Sequence, residues 1–266
     1  MKQTEDFTMN KPGNWKVKLK KPLLFTAILS PAIIVACWLV TIYAFSILAE
    51  EAKTGIIAKT GYNLFILAGT IQSVIIAFLC SFFGYILAEK TGLLKSFCFE
   101  KNKLIITLIV TIAGGILFSL DYWTFGRLIP NLQELTGLTI TVNAIISSIL
   151  YGGIVEELLL RLFMMSLFAF ILWKLFYRKM TIEQIPAGIY IIANILAAVL
   201  FAAGHLPATA GAFGDLTALI VFRCFLLNGA FGIIFGCIYK KYGIQYAMTS
   251  HAGFHIVSKV IWLVFI

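Results

Sequence analysis

The sequence predicts an all-α fold, a polytopic transmembrane helix bundle of seven to eight spans, and three observations predict it. Hydrophobic residues make up 61% of the 266-residue chain and charged ones 12%, against about 45–50% and 25% in a soluble globular domain. The apolar residues fall in runs of about twenty, the length of one bilayer crossing at 1.5 Å rise per residue. The basic residues behind the formal net charge of +9 cluster between those runs rather than on one amphipathic face. That argues against a nucleic-acid partner and for orientation signals in contact with membrane lipid head groups.

Taken in order, residues 1–21 carry Lys2, Lys11, Lys16, Lys18, Lys20 and Lys21 and are expected to form a basic cytoplasmic arm. A first span is expected at 22–48, kinked at Pro31. It is too long for the core of a cleaved signal and is read as retained. A connection of balanced charge (Glu50, Glu51, Lys53, Lys59) leads to a second span at 62–87. The basic stretch 89–103 then belongs on the cytoplasmic side. A third span at 104–120 is followed by an amphipathic connection with Asp121, Tyr122, Trp123, Arg127 and Pro130, whose aromatic rings suit the outer interface. Residues 22–137 thus form an N-terminal unit of three spans.

Residues 138–266 form the second unit. The run 138–176 exceeds one crossing, so it is either one long tilted helix or a helix preceded by an interfacial or half-span segment near Thr139. Lys174, Arg178 and Lys179 mark its cytoplasmic end. A span at 186–205 is opened by Pro186 and closed by Pro207, and another at 216–239 contains Gly232 and Gly236 at small-xxx-small spacing, a helix-packing face. Lys240 and Lys241 end it, and 245–266 is the last span. This topology puts the N-terminus and every basic loop in the cytoplasm. No internal repeat of the transporter kind is visible. The five cysteines have no metal or redox spacing and read as packing residues.

The stretch Tyr151-Gly-Gly-Ile-Val-Glu-Glu-Leu-Leu-Leu-Arg161 places two carboxylates and a guanidinium inside an apolar run. Each costs about 2.5–3.5 kcal/mol at the centre of a spanning helix. Glu157 and Arg161 have the i, i+4 spacing of an ion pair, while Glu156 points about 100° away. One carboxylate is a partner and the other is free to work. Gly152 and Gly153 allow a neighbouring helix backbone to approach. All three histidines of the chain lie in spans or at their ends: His205, and His251 with His255 on one helical face. Three histidines and two glutamates on separate spans suit a proton-handling, metal or hydrolytic site. A catalytic zinc is one reading, with Glu156, His205, His251 and His255 as candidate ligands. Arg223 either pairs with a carboxylate of the fourth span, the favoured reading, or extends toward an interface, and Lys259 either anchors the outer interface or faces the pocket. His251 lies nearer the cytoplasm than Glu156 and His205 in this topology, so either a long tilted fourth helix or spans that start outside the bilayer are needed to bring them together.

The ordered set Glu156-Glu157-x-x-x-Arg161, Phe201-x-x-x-His205 and His251-x-x-x-His255 resembles the CPBP, or Abi, family of intramembrane proteases, which includes type II CAAX prenyl endopeptidases and bacteriocin self-immunity proteins. The resemblance covers 138–266 and implies a catalytic core. It implies that Glu156 activates a water with help from His205, and that Glu157 and Arg161 hold the site together. It further implies that His251 stabilises the oxyanion, with His255 where the prenyl endopeptidases carry Asn. The substrate it implies is a peptide or lipidated protein at the membrane. The readings from other classes are a non-catalytic bacteriocin-immunity protein and a proton-coupled transporter. A bacterial cytoplasmic membrane is the expected location.

Overall fold

The computed structural model describes residues 15–266, with side chains from Leu19 onward. The expected arm at 1–14 lies outside the described residues, while 15–21 belong to the first helix. Among the described residues the regular elements are helical and no strand occurs. Helix α1 (Trp15–Ser46) runs through both Pro22 and Pro31 and lies beside α3 (Tyr62–Lys90). The connection between them is itself a helix, α2 (Glu50–Lys59), with Glu50 and Glu51 in its first turn and Lys59 in its last. That distribution complements the helix dipole.

After a non-helical segment, α4 (Lys101–Ser119) runs on through two 3₁₀ turns, Leu120–Tyr122 and Phe125–Arg127. Asn131, in the left-handed region at φ 62°, turns the chain into α5 (Leu132–Leu138). The long run then resolves as a break followed by one continuous helix, α6 (Val142–Phe176). Its start is fixed by Thr141, whose hydroxyl accepts the Ala144 N–H at 3.3 Å as an N-cap does. Helix α7 (Ala187–Gly204) and the short α8 (Leu206–Phe213) adjoin at His205. Helices α9 (Ala218–Tyr242) and α10 (Ile244–Phe265) are joined by Gly243 alone. Its φ of 112° is a conformation that glycine adopts without steric penalty.

Six of these paths are long and apolar enough to cross a membrane: Leu19–Ser46, Tyr62–Lys90, Lys101–Arg127, Val142–Phe176, Ala187–Phe213 and Ala218–Tyr242. The chain is an integral membrane protein, and the expected count of seven or eight exceeds what hydropathy supports by at least one. Helix α10 accounts for the difference. It has 22 residues, but Gln245, His251, His255 and Lys259 dilute its apolar character, and all but His255 are buried against the rest of the bundle.

Helix α10 packs along α4 and against the first half of α6. Its N-terminus is tied down by polar groups: the Gln245 amide donates to the Ser96 and Cys98 carbonyls at 3.0 Å each, and the Tyr246 hydroxyl accepts the Glu100 N–H at 2.7 Å. Close approach of α9 to α7 follows from Gly232 and Gly236, where a side chain would meet Ala198 and the Asn194 amide respectively. The expected packing face at Gly232 and Gly236 is therefore used, with the Asn194 amide donating to the Ile233 carbonyl at 2.9 Å. Of the cysteines, Cys37 and Cys224 are buried and none is bonded to another.

Candidate active site

The site forms where α6, α7 and α10 converge. From Ser148 to Met165, α6 is wound almost throughout in wide π turns, interrupted only at Glu157. Such turns are rare and recur at functional sites. They occur where the helix carries its three charges. Gly153 lets α10 come so near that an added side chain would start 2.7 Å from Ala252, and at Gly152 it would start 2.8 Å from the His255 ring.

The two glutamates lie in opposite surroundings. Glu157 is fully buried; one oxygen accepts from His251 Nδ1 at 2.8 Å, and the other lies 3.4 Å from Arg161 Nε. Arg161, equally buried, donates to the Gly232 carbonyl at 3.3 Å and lies against the Phe201 and Phe235 rings, 5.2 and 5.7 Å from their centroids. The ion pair expected from the i, i+4 spacing thus forms, and it extends to α10 through His251. Glu156 faces the other way. One of its oxygens is 3.9 Å from His205 Nε2 and the other 3.7 Å from His251 Nε2, both too long for direct hydrogen bonds.

His205 is oriented by a bond between its Nδ1 and the Phe201 carbonyl at 2.9 Å. A carbonyl only accepts, so Nδ1 carries the proton, and in the neutral ring Nε2 keeps its lone pair toward Glu156. His251 is clamped between the Phe235 ring, stacked at 4.4 Å, and the His255 ring, stacked at 5.0 Å. His255 therefore supports His251 and also lines the cavity, while its buried Nδ1 has no hydrogen-bond partner among the described residues. Among the described residues no group of three or more His, Cys, Asp or Glu side chains is arranged to hold a metal ion. His251 Nδ1 is engaged by Glu157, and His255 Nε2 is turned against Gly152.

Two features bring Glu156, His205 and His251 together although they stand at different distances from the ends of their helices. Ser166 touches the Tyr239 hydroxyl at 3.2 Å, one turn before α9 ends, yet α6 continues to Phe176. It therefore overruns α9 by about two turns, and its midpoint falls beside the start of α10. The His205 ring also folds back onto its own preceding turn, 4.5 Å from the Phe201 ring.

These groups open on a cavity of about 770 Å³ whose walls are mostly apolar. Two further polar features lie at its far end; the first corrects the sequence reading and the second selects between its two alternatives. Arg223 pairs with Asp121, not with a carboxylate of the fourth span: Nε donates to Oδ1 at 2.8 Å and the second fork nitrogen to Oδ2. Asp121 is consequently buried rather than displayed at an interface, and no spacing in the sequence links the two residues. Lys259 faces the pocket, 5% exposed, with Nζ 4.8 Å from the Trp262 ring centroid.

No curated protein and no solved structure matches the chain. Residues 138–257 match the family model described as type II CAAX prenyl endopeptidase Rce1-like, a segment that contains Glu156, Glu157, Arg161, His205, His251 and His255. The segment that builds this site is thus similar to the Rce1-like family of type II CAAX prenyl endopeptidases.

Proposed function

We propose that this protein is an intramembrane endopeptidase that hydrolyses a membrane-associated or lipidated peptide, with Glu156 as general base. The observation that carries this reading is the Glu156 carboxylate flanked by the Nε2 atoms of His205 and His251, at an apolar cavity, in the segment that matches a prenyl-endopeptidase family. At 3.9 Å the Glu156 and His205 acceptors are too far apart to bond each other, and a water beside them can donate to both. Glu156 takes the water's proton as its oxygen bonds to the scissile carbonyl carbon. The resulting oxyanion is stabilised by His251, which when doubly protonated donates from Nε2 while Nδ1 stays bonded to Glu157; a donor at such a position contributes about 3–4 kcal/mol. As the carbon–nitrogen bond breaks, the leaving amine receives the proton from Glu156. Glu157 and Arg161 hold His251 and take no proton.

The same reading makes α10 a seventh span. At 22 residues it is about 33 Å long, enough for a bilayer core, and the neighbours that bury its polar residues shield them from lipid. It also keeps the N-terminus cytoplasmic, because Lys90, Lys95, Lys174, Arg178, Lys179, Lys240 and Lys241 then share that side.

The test compares membrane and secreted peptide termini in source cells carrying either the native protein or Glu156→Gln at equal abundance. A terminus found only with the native protein is expected, and it identifies the substrate. Identical termini in the two would overturn the reading.

A further inference from the structure

A second cavity, of about 110 Å³, lies where α4 and α10 begin and α9 ends, apart from Glu156 and its histidines. Its walls include Lys95, Lys103 and Lys241 against one acid, Glu100. That acid is already taken, since Lys103 Nζ lies 2.6 Å from its Oε1. Lys95 donates to the Gly92 carbonyl at 3.2 Å, and among the described residues no carboxylate lies within 4.0 Å of the Lys95 or Lys241 Nζ. Tyr246 lines the same cavity and is 1% exposed. Its hydroxyl oxygen accepts the Glu100 N–H at 2.7 Å, while its own proton has no acceptor among the described residues. A buried donor left without a partner is costly, and an anion in the cavity supplies one.

We propose that this cavity holds the phosphate of an anionic lipid headgroup, bound by Lys95, Lys241 and the Tyr246 hydroxyl. Ammonium groups and a free hydroxyl proton are all donors, a set that suits an oxyanion. The size fits one such group, because about 110 Å³ is the space of three to four waters at about 30 Å³ each. The surroundings favour a lipid as its source. Phe97 and Phe99, 65% and 57% exposed, belong to the same loop as Lys95, and the Phe99 ring meets the Tyr246 ring edge-on at 5.4 Å. Large apolar rings beside lysines suit the headgroup boundary, where lipid covers the rings and its phosphates meet the lysines. Bound there, the phosphate joins the loop at 91–100 to the start of α10, five residues before His251. It therefore braces the helix that carries that histidine, and such binding is independent of hydrolysis.

The test titrates the full-length protein in neutral detergent with phosphatidylglycerol or phosphatidylcholine and reads lipid-bound against lipid-free protein by native mass spectrometry. The native protein is expected to bind its first phosphatidylglycerol at least about tenfold more tightly than phosphatidylcholine, and Lys95→Gln with Lys241→Gln to lose that factor, as removal of two charge-assisted contacts predicts. Tyr246→Phe, which keeps the ring and removes the donor, is expected to lose part of it. Lys90→Gln with Lys174→Gln removes the same charge from exposed positions outside the cavity and is expected to keep the preference. The ratio of the two lipids within one protein does not depend on how much of it is folded. An unchanged preference in the Lys95 and Lys241 double variant or in Tyr246→Phe, or an equal loss in both lysine pairs, overturns the proposal. Inorganic phosphate, added to the lipid-free protein at constant ionic strength, is expected to leave the thermal unfolding midpoint unchanged. A rise that Lys95→Gln with Lys241→Gln abolishes would assign the cavity to soluble phosphate and overturn the lipid source.

Discussion

The two faces of α6 place adjacent glutamates in opposite surroundings. On one face Glu157, Arg161 and His251 are closed off from solvent, each charge placed against another or against an aromatic ring. On the other, Glu156 is partly exposed to the cavity and both its neighbouring imidazoles stand back by nearly 4 Å. Adjacent glutamates in one helix therefore have opposite functions. In the dry surroundings a charge is tolerated only when its partner is fixed, so that face is rigid. In the cavity an acceptor without a fixed partner can exchange a proton. The difference teaches that the immobile trio aims the histidine, and the single looser carboxylate does the work.

The largest way to break this comparison is Arg161→Met, which leaves Glu157 buried without its cation. A loss of about 3–5 kcal/mol is expected, seen as a steep fall in the thermal unfolding midpoint in detergent and in folded yield. Glu156→Gln in the same measurement is expected to unfold near the native midpoint. Equal midpoints for all three proteins would remove the distinction between the faces.

A smaller effect sharpens it from the packing side. Gly153→Val places a branched side chain where a first carbon already lies 2.7 Å from Ala252, so α10 is expected to move off α6 and take His251 with it. A displacement of about 1 Å costs on the order of a hundredfold in turnover, with KM changed far less, and Gly153→Ala should be milder. The smallest expected effect is none: turnover of the lipidated peptide should be the same before and after incubation with 1,10-phenanthroline. Loss of turnover restored by zinc would instead assign the work at Glu156 to a metal.

Much of the site was legible because helical spacing relates residues within one segment. Glu157 and Arg161, Phe201 and His205, and His251 and His255 are each four apart, and each pair meets in the structure. Gly152 and Gly153 announced a close neighbour, and Gly232 and Gly236 another. What spacing could not carry were the partners across segments. Asp121 and Arg223 are over a hundred residues apart, Arg161 reaches Gly232, and Tyr246 reaches Glu100. The connection around Asp121 looked like an interfacial loop because tyrosine and tryptophan suit that place. One buried ion pair overrode the pattern. Likewise α10 falls short on hydropathy because the face it turns into the bundle carries Gln245, His251 and Lys259, which its neighbours bury, while Ile256, Val260 and Leu263 on its outer side are exposed.

By itself the sequence determined that the chain is helical and membrane-embedded, where most of its helices run, and which few polar residues are too costly to be incidental. These follow from local physics: the energy of placing a side chain in lipid and the period of one helix. Only the tertiary structure decided which glutamate is enclosed and which is open, that α6 overruns its neighbours to bring His251 beside Glu156, that Arg223 belongs to Asp121, and that Lys259 turns toward the cavity. The reason is that a helix of known period still has an undetermined rotation, depth and set of neighbours, and those are set by packing among segments distant in the chain.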